Sequence, residues 1–123
     1  MRYYHPEQRE KMKSKMHNLK FDAVLNAYFD VDRFGINVLF DKDDNADMFE
    51  VCLLGGVTLN SATWEHYAHI TLCDDGRWEV SSQFNGENED ELWVYACYKR
   101  FADACRCVSI GKFEKMKPIK KYL

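Results

Sequence analysis

The sequence predicts an α+β domain: a small antiparallel sheet of about four strands in two hairpins, packed against a long C-terminal helix, with another helix at the N-terminus. Three observations predict it. Short runs of alternating apolar and polar residues flank turn-forming segments in the middle of the chain. Apolar residues recur at helical spacing over 88–108. The length of 123 residues, 46% of them apolar and 18 aromatic, suits one domain with a substantial core. Residues 1–123 are read as that domain, with a basic helical segment at 1–20 and a basic tail at 111–123.

Residues 6–17 carry helix signals. Pro6 suits a first helical position, where its missing N–H costs nothing, and Glu7 complements the positive end of the dipole. Their only apolar members, Met12 and Met16, lie four apart on one narrow stripe, so this helix should sit weakly on the surface. Residues 21–31 satisfy two periods. Phe21, Ala23, Leu25, Ala27, Phe29 and Val31 alternate as in a strand, while Phe21, Val24, Leu25, Tyr28 and Phe29 form a helical stripe. A helix entering from the N-terminal segment and breaking near Asp30–Gly35 is the favoured reading, with a strand as the alternative.

Ile36, Val38 and Phe40 alternate with Gly35, Asn37 and Asp41 over 35–41, and Phe49, Val51 and Leu53 alternate with Glu50 and Cys52 over 48–54. The acidic stretch from Asp41 to Asp47 between them is a solvated turn, which makes these runs an antiparallel pair. The second hairpin turns at Cys73-Asp74-Asp75-Gly76-Arg77. A two-residue loop would pair Leu72 with Glu79 and mix polar with apolar groups on both faces. A three-residue loop, with Gly76 in the left-handed position, pairs Leu72 with Trp78, Ile70 with Val80, Ala68 with Ser82 and His66 with Phe84. Only this register makes one face apolar. Over 88–108, Asn88 and Glu91 resemble a capping box, and Trp93, Ala96, Cys97, Phe101, Ala104, Cys105 and Val108 follow helical spacing. Gly111 supplies the stop.

Charge is segregated. Residues 1–20 hold six Lys/Arg against two Glu, a local +4, and residues 111–123 hold five Lys against one Glu, also +4. The body, 21–110, holds six Lys/Arg against 17 Asp/Glu, or −11. No apolar run approaches the roughly 20 residues that a membrane span needs, and the first residues lack a secretory apolar core. The five cysteines show no framework spacing, so free thiols and a cytoplasmic location are expected.

Constellations that suggest chemistry are weak. Asp41, Asp43 and Asn45 begin like a calcium loop, but Ala46 and Cys52 stand where a glycine and a bidentate glutamate are needed. His66 and His69, three apart on a strand, point to opposite faces, with His69 on the solvent side near Glu79. Cys97 and Cys105 are expected on the buried stripe of the helix. Cys73, opposite Arg77, is the only candidate for a nucleophilic thiol. Gly55-Gly56 lacks the rest of a phosphate-loop fingerprint. No cofactor, metal or catalytic residue is assigned, and an enzyme is not expected.

Two binding readings remain. In the first, an acidic belt of Asp41, Asp43, Asp44, Asp47, Glu50, Asp74, Asp75, Glu87, Glu89 and Asp90 meets a protein partner with a basic surface. A small inhibitor that occupies the basic groove of a nucleic-acid-processing enzyme, in the manner of anti-restriction or anti-CRISPR proteins, is one form of it, by analogy of composition alone. In the second, Arg9, Lys11, Lys13, Lys15, Lys117, Lys120 and Lys121 contact nucleic acid. The charge of the body favours the first, because a phosphate backbone is repelled from most approaches.

Overall fold

A computed structural model describes residues 3–54, 68–82, 92–111 and 120–122. Helix α1 (Pro6–Ser14) and helix α2 (Met16–Tyr28) precede strands β1 (Phe34–Phe40), β2 (Ala46–Leu53), β3 (Ala68–Leu72), β4 (Trp78–Ser82) and β5 (Leu92–Tyr98); helix α3 (Phe101–Ile110) and the short strand β6 (Lys120–Tyr122) follow. The sheet is antiparallel throughout, in the order β1-β2-β3-β4-β5-β6. Among the described residues, no helix is long and apolar enough to cross a membrane.

The helix reading of 21–31 holds for most of its length, since α2 runs to Tyr28 and the chain turns through Asp30–Arg33 into β1. The single N-terminal helix does not hold. Lys15 is extended (φ −126°, ψ 135°) and divides it in two. Ser14 Oγ donates to the Lys11 carbonyl at 2.7 Å, satisfying one of the acceptors that a helix end leaves open. The break separates the two methionines that share a stripe in sequence: Met12 is buried and Met16 is 80% exposed. It also resets the phase of α2, so that Leu25 and Phe29 are buried and Phe21 packs against the core.

Cross-strand pairing explains the core. Register places Val38, Phe49, Ile70, Val80 and Ala96 in one row across five strands, and all five are buried. Helices α2 and α3 pack together, and α3 packs on β3, β4 and β5. Where they meet, Phe21, Phe49, Trp78 and Phe101 form an edge-to-face and tilted cluster with ring centroids 4.8–6.0 Å apart. The β3–β4 hairpin has the three-residue loop, with Leu72 opposite Trp78, Ile70 opposite Val80, and Gly76 at φ +85°. The proposed pairing of His66 with Phe84 lies outside the described residues.

The long helix over 88–108 is the largest correction. Residues 92–98 form β5, hydrogen-bonded to β4, and the helix is the ten residues of α3, ending at left-handed Gly111. Val94, Tyr95 and Ala96 are buried in succession, so this strand shows no alternation, and Trp93 with Cys97 imitates a helical repeat. Aromatic and β-branched residues (Trp93, Val94, Tyr95, Tyr98) suit a strand, and β5 gives β4 the partner that an inner strand requires. Among the described residues six strands therefore stand in place of about four, and part of the basic tail, Lys120–Tyr122, is the sixth.

The other edge of the sheet is covered by the N-terminal segment. Tyr3 bridges Ile36 in parallel, and the Tyr4 amide donates to the Ile36 carbonyl at 3.1 Å. Gln8 Nε2 reaches the Val38 carbonyl at 2.7 Å. Groups that an edge strand leaves open to a second chain are thus occupied from within. Gly35 permits the approach, since a Cβ there would stand 2.9 Å from the Tyr4 ring.

Candidate functional site

Both hairpin turns project from the same end of the sheet, because β1 and β3 run one way and β2 and β4 return. The turn after β1 carries Asp41, Asp43 and Asp44, and the turn after β3 carries Asp74 and Asp75; all five are exposed. Two strand spacings separate the turns, or about 10 Å. These residues form an acidic tip.

Each turn is organised by its own carboxylate. Asp41 Oδ1 accepts from the amides of Asp43 (2.8 Å) and Asn45 (3.0 Å), an arrangement that short acidic side chains adopt readily. Those donors, Asn45 foremost, hold the Asp41 carboxyl below its ordinary 3.8. Asp75 accepts from the Arg77 amide (3.0 Å) and from Arg77 Nε (2.8 Å), which lowers its carboxyl likewise and raises the guanidinium. Asp44 takes φ +60°, a conformation that Asp and Asn tolerate better than most residues.

Tertiary contacts then fix the first turn to the helices. Asn18 is fully buried: its Nδ2 donates to the carbonyls of Asp44 (2.9 Å) and Lys11 (3.3 Å), and its Oδ1 accepts from the Ala46 amide (3.1 Å). Lys11 Nζ lies 3.6 Å from Asp44 Oδ1 and 5.3 Å from the centroid of the Phe40 ring. One cation of the N-terminal segment therefore screens the acidic tip from within the molecule.

Glu50 does not belong to this belt. Register aligns Asn37, Glu50, His69 and Ser81 across the face of the sheet opposite the core row. Gln8 Nε2 donates to Asn37 Oδ1 (2.6 Å), Asn37 Nδ2 donates to Glu50 Oε1 (2.7 Å), and His69 Nε2 stands 3.3 Å from Glu50 Oε2. His69 thus faces Glu50, a neighbour that the sequence reading did not name. Glu50, His69 and Ser81 fall on adjacent strands, yet Nε2, the imidazole atom that a serine nucleophile would use, faces Glu50, and Ser81 is buried.

Asp47 is half-buried at the start of β2, and Glu87, Glu89 and Asp90 lie outside the described residues. Of the basic candidates, Arg9, Lys11 and Lys13 are on α1, with Lys15 just beyond it, whereas Lys120 and Lys121 belong to β6. Lys117 lies outside the described residues. The N-terminal cations thus flank the β1 edge while β6 forms the other, five strand spacings or about 24 Å away.

Three thiols, Cys73, Cys105 and Cys107, sit in settings that oppose ionisation. Burial, then the Glu79 carboxylate 3.5 Å from Sγ, pushes Cys73 up to about 11 despite the nearby Arg77. Burial raises Cys105 and Cys107 as well. Cys105 is buried as expected, but Cys97 lies half-buried on β5. Gln8, Asn18, Asn37 and His69 were missed as organising residues. The alternation that marks Ile36 and Val51 as core partners also places Asn37 opposite Glu50, so the first pair of the polar row had a signal; the other contacts join distant segments and had none. Compared with protein-family models, curated proteins and solved structures, the chain matches none.

Proposed function

We propose that this chain is a non-enzymatic protein-binding module whose contact surface is the acidic tip. The observation that carries the reading is the placement of two internally braced acidic turns at one end of the sheet, with Asp43, Asp44 and Asp74 directed to solvent. Asp41 and Asp75 spend their carboxylates on the turns themselves, which holds the neighbouring charges in place before a partner arrives. The partner has a basic surface, since rows of carboxylates on a rigid frame attract and orient such a face. A basic groove that ordinarily holds phosphates is a suitable target, and occupying it would make the chain an inhibitor of a nucleic-acid-processing enzyme. The placement of α1 by the β1 edge and of β6 at the opposite edge weighs against the nucleic-acid reading.

Affinity capture from the native host, read by mass spectrometry, tests the proposal. The triple variant Asp43→Asn, Asp44→Asn, Asp74→Asn spares both bracing carboxylates, and Asn tolerates the left-handed position at 44. Loss of the captured proteins with this variant, and on raising the salt, is the expected result. Retention under both conditions would discard the acidic tip as the contact surface.

A further inference from the structure

We propose that the cleft between α1 and α2 is a binding site for a small hydroxylated anion, such as a phosphate monoester or a hydroxycarboxylate. The cleft has a volume of about 380 Å³, within the range of small-molecule sites. Arg9 and Lys13, four residues apart on α1, line one side; Asp22 and Asn26, four apart on α2, line the other; buried Met12 also contributes to the wall. Tyr3 enters from the segment that pairs with β1 and adds its phenol.

The charges in the cleft are unequal, and the way they are paired points to an anion. Asp22 is the obvious counter-ion for the two cations, but its Oδ1 accepts from the Tyr3 hydroxyl and its Oδ2 lies 3.5 Å from Asn26 Nδ2. Burial and this bond to Asp22 hold the phenol protonated, so Tyr3 stays a donor. Among the described residues, neither Arg9 nor Lys13 forms a salt bridge with a carboxylate. Arg9 and Lys13 are both exposed, like charges at this spacing on a helix repel, and the cleft sets these two cationic side chains against the one carboxylate of Asp22. An oxyanion balances the excess. The remaining capacity of Asp22 to accept suits a hydroxyl on the same ligand.

This inference is independent of the acidic tip, which lies on the turns of the sheet. Amide-resolved NMR titration of the full chain tests it, with inorganic phosphate, glycerol phosphate and citrate as separate probes. Saturable shifts confined to α1, α2 and the Tyr3 segment, with glycerol phosphate or citrate binding more tightly than inorganic phosphate, are expected. Arg9→Gln with Lys13→Gln should weaken that binding at least roughly tenfold, whereas Lys15→Gln with Lys42→Gln, an equal change of charge elsewhere, should leave it intact. Asp22→Asn should erase the preference for hydroxylated probes. Equal weakening by both charge pairs, shifts spread over every basic residue, or no saturable binding by any probe would overturn the proposal. Shifts produced only by an added oligonucleotide would overturn it as well.

Discussion

The β1–β2 turn and the polar row on the outer face of the sheet both carry acidic groups, but they are assembled at different ranges. Asp41 finds its donors two and four residues away, and Asp75 finds Arg77 two residues away. Glu50 meets Asn37 across 13 residues, and Asn37 meets Gln8 across 29. The first kind forms as soon as the turn forms and leaves the outer carboxylates of Asp43 and Asp74 exposed to a partner. The second exists only once α1, β1, β2 and β3 have come together, and its groups are used up in holding them. A carboxylate in an acidic stretch of sequence is available for recognition only where local geometry leaves it uncommitted.

Substitutions can break this contrast, beginning with the residue that joins the turn to the helices. Asn18→Ala removes three hydrogen bonds and leaves the Ala46 amide and the Asp44 carbonyl without their partner. We expect a loss of about 3 kcal/mol in urea denaturation, the upper end of the cost of orphaned buried groups. Glu50→Ala takes the acceptor from Asn37 and His69 and should cost about 2 kcal/mol, whereas Asp43→Asn on the tip should stay within about 0.5 kcal/mol. Equal effects would erase the distinction between the regions.

Gly76→Ala tests the hairpin itself. A Cβ there meets nothing within 4 Å, so the expected loss of about 1 kcal/mol is backbone strain at φ +85° alone. The smallest effect is in the pH profile. Because the Asp41 and Asp75 carboxyls are depressed below 3.8 in the folded protein, their contribution is complete above that value and disappears as the pH falls through their folded values. The double variant Asp41→Asn, Asp75→Asn should therefore show a shallower loss of stability below about pH 4, measured by thermal unfolding across the acid range.

The β3–β4 hairpin and the segment from 88 to 110 show how much of the fold was legible. The hairpin has one buried face, so its alternation admits a single register, and Gly76 fixes the loop. Val94, Tyr95 and Ala96 are buried in succession with no such asymmetry, and the period that separates strand from helix is lost there. The acidic tip was legible in part: Asp41, Asp43, Asp44, Asp74 and Asp75 are adjacent in sequence within each turn, and an antiparallel meander brings alternate turns to one end. Glu50 was misread because composition counts a charge without showing what faces it.

The sequence by itself determined the α+β class, the β1–β2 and β3–β4 pairings and the stop at Gly111. These depend on contacts or periods within a few residues. Tertiary structure alone decided that 92–98 is a strand, that the N-terminal helix breaks at Lys15, that α1 and β6 stand by opposite edges of the sheet, and that Gln8, Asn18 and His69 join remote elements. Local preference is a small energy. Pairing an open strand edge and satisfying buried amides are larger ones, and they act only after the chain has closed on itself.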